Sequence, residues 1–131
     1  MNIDEHISAL EEHERKLKDC IDEGIEKNQR NIAYNASQGS VELFSIYMHR
    51  LNLTTPGEKY DHRTFKKKSE TERRLPKDFP RRKRILELMK MIEEGRMVLC
   101  YGKRKPYDDI REVIEAFTEL KKIIDAEVGL L

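Results

Sequence analysis

Asn31-Ile-Ala-Tyr-Asn-Ala-Ser-Gln-Gly-Ser-Val-Glu-Leu-Phe-Ser-Ile-Tyr47 holds a single charged residue, Glu42, in a chain whose residues are 39% charged. Ile32, Ala36, Ser40, Leu43, Phe44, Tyr47 and then Leu51 recur at helical spacing, which predicts a helix buried at the centre of the fold. Ala33, Ala36, Ser37, Gly39 and Ser40 put small side chains on neighbouring turns, so a second helix can approach closely. The mid-helix Gly39 costs about 1 kcal/mol of helix propensity. Asn28 to Arg30 offers a stop before this helix, and Thr54-Thr55-Pro56-Gly57 is turn chemistry after it.

On the N-terminal side, Ile3, Ile7, Leu10, Leu17, Ile21 and Ile25 mark an amphipathic helix. On the C-terminal side, Pro80 can open a third helix that buries Ile85, Leu88, Met89, Ile92, Leu99 and Cys100 and reaches Tyr101. Gly102, the cations Lys103, Arg104 and Lys105, and Pro106 then read as a stop and a restart. Asp108 and Asp109 suit the N-terminus of a fourth helix, whose seam runs Ile110, Val113, Phe117, Leu120, Ile124. With no β-alternating run and no internal repeat, the expectation is an all-α, antiparallel four-helix bundle in one domain of 131 residues. Only 6 Gly, 4 Pro and no Trp exclude collagen-like and Gly/Pro-rich disordered chains.

Charge is distributed unevenly. Residues 59–84 hold 12 basic and 4 acidic side chains, an excess of eight positive charges, while the rest of the chain holds 14 basic and 21 acidic. Pro76 and Pro80 interrupt this segment, and Tyr60, Phe65, Leu75 and Phe79 can pin it to the core, so it reads as a long, partly ordered connection between the second and third helices. Lys59, Arg63, Lys66, Lys67, Lys68, Arg73, Arg74, Lys77, Arg81, Arg82, Lys83 and Arg84, interleaved with aromatics, can neutralise phosphates while rings stack on unpaired bases. Lys103, Arg104 and Lys105 can extend that surface. A solvated linker, or docking on an acidic protein face, explains the same charges.

Other chemistry is sparse. His6, His13, His49 and His62 complete no metal-ligand spacing, and the glycines are isolated, so neither a metal nor a cofactor is expected. Cys20 and Cys100 fall in apolar patterns and read as reduced, packed thiols. The adjacent pairs Glu93/Glu94 and Asp108/Asp109 point in different directions on a helix and read as solvated faces. Residues 31–41 are the longest stretch free of Asp, Glu, Lys and Arg, too short for a membrane span. The acidic N-terminus lacks signal-peptide features, and a cytoplasmic location is expected.

The segment from Asn31 to Tyr47, with Gln38 and Glu42 on an Ala-rich helix, resembles the long central helix of the HEPN superfamily of small α-helical proteins. Arg96 to Tyr101-Gly102, and then Tyr107 to Ile124, resemble its third helix, Tyr-Gly break and fourth helix. The resemblance spans about three quarters of the chain and implies homodimerisation and RNA binding, RNA cleavage, or partnership with a nucleotidyltransferase in a toxin–antitoxin pair. It also implies, for the metal-independent RNases of that family, an Arg followed four to six positions later by His. Arg96 can stand for the Arg, but no His follows His62. The expectation is therefore a non-catalytic, HEPN-like, homodimeric module that binds nucleic acid, RNA above DNA, through the basic segment. The alternatives are a protein-interaction module and a divergent RNase assembled by the fold from Arg96, Tyr101, His62 and Arg63.

Overall fold

A computed structural model describes residues 2–54 and 59–130. Among these, the chain forms five α-helices and no strand: α1 (Ile3–Glu23), α2 (Gln29–Arg50), α3 (Lys68–Arg74), α4 (Arg82–Cys100) and α5 (Tyr107–Val128). Short 3-10 turns lie at Glu26–Asn28 and His62–Phe65. The all-α expectation holds, but the four-helix bundle does not, because the basic connection contains a helix of its own. Asp61 caps the turn that leads into it, accepting from the Arg63 and Thr64 amides at 2.8 and 3.2 Å. Glu70 then lies in the first turn of α3 and Arg73 and Arg74 in its last, each matched to the helix dipole. A seven-residue helix is marginal alone; here the Thr71 hydroxyl ties it to the Thr64 carbonyl at 2.8 Å.

The helix ends follow local chemistry. Gly24 closes α1 with φ 141°, ending it before Ile25. Arg81 has φ 62°, a left-handed conformation that delays α4 to Arg82 instead of Pro80. Pro106 caps α5 from outside rather than occupying its first position, and Asp108 and Asp109 fill the first turn. The turn expected at Pro56-Gly57 lies outside the described residues.

Cross-contacts define the topology. His6 meets Glu42 at 2.5 Å and His13 meets Asn35 at 2.9 Å, so α1 and α2 run antiparallel. Gln29 donates to the Leu99 carbonyl and Ser37 to Glu93, which sets α4 antiparallel to α2. Arg84 meets Glu119 while Gly95 lies against Val113, which sets α5 antiparallel to α4. α2 is thus covered by three helices, and Ile32, Ala33, Ala36, Leu43, Phe44 and Tyr47 are wholly buried. The expected close approach occurs at Gly39, where a Cβ would lie 3.1 Å from the Phe117 ring.

The aromatics of the basic segment go inward. Phe44 makes edge contacts with Tyr60, Phe65 and Phe79 at centroid distances of 5.1, 5.0 and 5.7 Å, each contributing about 1 kcal/mol beyond the area it buries. The Tyr47 hydroxyl donates to the Pro80 carbonyl at 2.7 Å, and burial pushes its pKa up to about 12. No helix among the described residues is long and apolar enough to cross a membrane.

At Gly95 a Cβ would fall 2.2 Å from Val113 Cγ2, deep inside van der Waals contact. Gly95→Ala is therefore expected to destabilise the fold by about 1–3 kcal/mol despite the better helix propensity of Ala. Adding Val113→Ala should relieve the clash, so thermal unfolding of the double variant should show less than additive loss.

Candidate functional site

The fold divides the cations of residues 59–84 into two sets. One set is used internally. Arg74 donates to the Lys59 carbonyl and to Thr64 Oγ1. Arg82 donates to the Pro76 carbonyl at 3.0 Å and lies 5.8 Å from the Phe79 ring centre. Arg84 grips both oxygens of Glu119, at 2.6 and 2.7 Å, and holds that carboxyl below its ordinary pKa. Arg63 with Asp61, Lys68 with Glu72 and Arg73 with Glu70 form exposed pairs, each stabilising by about 1 kcal/mol or less. The other set is free: Lys66, Lys67, Lys77, Arg81 and Lys83 are exposed, and their side chains make no hydrogen bond or ion pair among the described residues.

Two of these, Arg81 and Lys83, border a groove of about 650 Å³ enclosed by the 3-10 turn, α3 and α4. Phe65, Phe79 and Leu86 lie at its floor, with Lys68, Arg81, Lys83 and Lys90 around it and Glu72, Asp78 and Glu87 between them. Phe65 and Phe79 are only 3% and 5% exposed, so they cannot flank a base as the sequence reading expects. What the groove offers an anionic polymer is charge. Lys103, Arg104 and Lys105 are not part of it. They lie beyond the opposite end of α4, a helix of 19 residues and so about 28 Å long. There Arg104 donates to the Glu26 carbonyl and the Lys105 amide to Gln29 Oε1, both structural bonds.

Beside the His62–Phe65 turn lies a polar cluster. Glu93, read from sequence as solvated, is 1% exposed and is the only buried Asp, Glu, Lys or Arg among the described residues; its neighbour Glu94 is exposed. Ser37 Oγ donates to Glu93 Oε1 at 2.5 Å, and His62 Nδ1 lies 3.1 Å from Oε2. Arg96 donates through Nη1 to Ser37 Oγ at 3.1 Å and to Gln38 Oε1 at 2.8 Å, with its guanidinium 5.1 Å from the Tyr34 ring centre. Burial raises the Glu93 pKa, while Ser37, His62 and Arg96 pull it back.

Two of the expected catalytic candidates, His62 and Arg96, therefore meet through Ser37 and Glu93, although 34 positions separate them in the chain. Arg63 and Tyr101 do not join them: Arg63 faces Asp61, and Tyr101 is 68% exposed at the far end of α4. Glu93 and Ser37 escaped the sequence reading, yet Ile85, Met89 and Glu93 share one helical face, and an acid on an apolar face is a legible signal. Cys100 is half-buried, donates to the Arg30 carbonyl and has its pKa raised by burial, which fits a packed thiol. His6, Glu42 and His49 lie close together, but no group of three or more His, Cys, Asp or Glu among the described residues could hold a metal ion.

Comparisons with protein-family models, with curated proteins and with solved structures each find no match to this chain.

Because its folded pKa is raised, the contribution of Glu93 to stability is fully present below the unfolded carboxylate pKa and falls as pH rises through the folded value. Replacing it by Gln removes that titration. Thermal unfolding of Glu93→Gln and the parent between pH 4 and 7 should show the difference moving steadily in favour of Gln as pH rises; a constant difference would contradict a raised pKa.

Proposed function

We propose that the chain is a divergent HEPN-like module that binds the phosphodiester backbone of RNA through the elbow formed by the 3-10 turn, α3 and the start of α4. The observation that carries this reading is the set of exposed cations Lys66, Lys67, Lys77, Arg81 and Lys83, held on a folded scaffold with side chains that make no hydrogen bond or ion pair among the described residues. A charge run that served only to balance acidic helices would pair as Arg84 does with Glu119. Neutralised phosphates release counterions, so affinity should fall with salt at a slope of about 0.7 per phosphate contact on a single strand. With the aromatics in the core, recognition rests on charge and backbone spacing more than on base identity.

A second reading, a metal-independent RNase, is supported by the His62–Glu93–Ser37–Arg96 cluster. A carboxylate on Nδ1 fixes the tautomer that leaves Nε2 of His62 as the base. In this reading Nε2 takes the proton of a ribose 2′-hydroxyl and the 2′-oxygen attacks phosphorus. The bond to the 5′-oxygen then breaks as that oxygen takes a proton from water. The products are a 2′,3′-cyclic phosphate and a 5′-hydroxyl, with Arg96 offsetting the charge that builds on the phosphoryl oxygens.

Changing Lys66, Lys67, Lys77, Arg81 and Lys83 to Gln should leave helical circular dichroism unchanged and reduce RNA binding at least about tenfold at low salt, with a shallower salt slope. Unchanged affinity would dismiss the elbow as the binding surface. Incubation of RNA with the protein in chelator decides the second reading. Cleavage that is lost in His62→Ala and in Arg96→Ala, and that spares DNA, supports catalysis; intact RNA leaves binding alone.

A further inference from the structure

Phe65 and Phe79 turn inward onto Phe44, but Tyr34 does not. It is 42% exposed, the one exposed large apolar side chain on α2 among the described residues. Asn31, Tyr34, Gln38 and Glu42 recur at steps of three, four and four and form the exposed or half-buried face of that helix. From α1 the His13 ring meets the Tyr34 ring edge-on at 6.2 Å, and from α4 the Arg96 guanidinium lies 5.1 Å from its centre. Both neighbours are held in turn. Asn35 Nδ2 donates to the Asn31 carbonyl at 2.8 Å, which turns its Oδ1 to accept from His13 Nδ1 at 2.9 Å. Arg96 is tied to Ser37 and Gln38. The ring is therefore preorganised, and a base stacked on it orders little further side chain.

Charge differs on the two sides of Tyr34. Toward α1 the ring lines a groove of about 400 Å³ with Asn31, His13 and Lys16, and with the carboxylates of Glu12 and Asp19. Two carboxylates against one Lys repel phosphate, whereas an uncharged base edge and ribose hydroxyls find partners in an amide and in carboxylates. Toward α4, Arg96 uses only Nη1 in its bonds to Ser37 and Gln38, so Nε and Nη2 make no hydrogen bond among the described residues. One turn of α2 before Tyr34, Lys27, Arg30 and Arg104 line a pocket of about 370 Å³ that shares Asn31 with the groove and has no Asp or Glu in its wall. The Lys27 and Arg30 side chains are exposed and make no hydrogen bond or ion pair among the described residues. The groove between α4 and α5 has Glu94, Asp109 and Glu112 in its wall and no Lys or Arg, which keeps a polyanion to the α2 side.

We propose that the RNA strand bound at the elbow continues over His62 and across the open face of α2, where Tyr34 stacks on one unpaired base. Arg96 takes the adjoining phosphate, and the pocket of Lys27, Arg30 and Arg104 takes a later one. Arg96, beside Gln38, and Arg30 lie eight residues apart along α2, about 12 Å, with Tyr34 midway. This inference rests on the RNA-binding reading and deepens it by naming a base contact. Stacking tolerates every base, so Tyr34 favours single strands over duplexes without fixing a sequence.

The test titrates the full chain, at several salt concentrations, with single-stranded RNA of about 12 nucleotides that carries a fluorescent purine analogue at one position in turn. Binding should quench the analogue at one position. Tyr34→Ala is expected to remove that quenching and to weaken binding at least about fivefold with the salt slope unchanged, while Tyr34→Phe matches the parent. Lys27→Gln with Arg30→Gln should keep the quenching and make the salt slope shallower by about 0.7 or more. An RNA made abasic at the quenched position checks the stacking without a substitution, and the parent should bind it at least about fivefold more weakly. RNA binding indifferent to Tyr34→Ala and to the abasic position, or weakened equally by Tyr34→Phe, overturns the stacking. An unchanged slope in the Lys27 and Arg30 variant overturns the path. Each of these results leaves the elbow standing, whereas a parent chain that binds no RNA removes the elbow reading as well.

Discussion

A carboxylate at 1% exposure cannot stand alone, and much of this structure is arranged around the partners of Glu93. Leaving such a charge unpaired costs several kcal/mol, so α4 can sit on α2 only where Ser37 reaches Oε1, and the 3-10 turn docks where His62 reaches Oε2. One buried acid thus sets the relative position of two core helices and places the root of the basic elbow on them. Arg96 closes the arrangement from the solvent side through Ser37 and Gln38. Among the described residues no buried side-chain nitrogen or oxygen lacks a hydrogen-bond partner, so the cluster is satisfied as well as polar.

The elbow shows how a strongly cationic segment becomes part of a folded domain. Its apolar residues, Phe65, Leu75 and Phe79, are buried, Phe65 and Phe79 around Phe44, and that anchorage leaves the lysines outside. Pairing inside the segment then removes Arg73, Arg74 and Arg82 from service as free cations, and Glu119 on α5 removes Arg84. The surface that remains is smaller and more sharply placed than the run of charge in the sequence, and it borders a groove instead of trailing from the core.

The helices with continuous apolar stripes were legible. α5 shows its seam at steps of three and four, and α2 shows a burial so complete that its lack of charge announces it. α3 was not, because a helix with no buried residue leaves no periodic trace; it forms from capping and charge placement on a turn that other residues anchor. The start of α4 was misplaced by two residues because a left-handed Arg81 is not encoded by its type. At the site, the cations were legible as a set but not their division into used and free. The meeting of His62 with Arg96 depends on a tertiary contact across α2 and α4 that no local spacing reveals.

Lys68, Arg81, Lys83 and Lys90 border a groove against the first half of α4, and Glu94, Asp109 and Glu112 border another against its second half, so a nearly neutral chain, at net +1, carries a local electric dipole between them. A charged partner feels that dipole at separations of about a Debye length, roughly 8 Å at physiological salt, before any atom touches. Such a field turns a polyanion toward the cationic groove and away from the acidic one. The gain appears in association rates and fades as ionic strength rises, while dissociation is left to the short-range contacts.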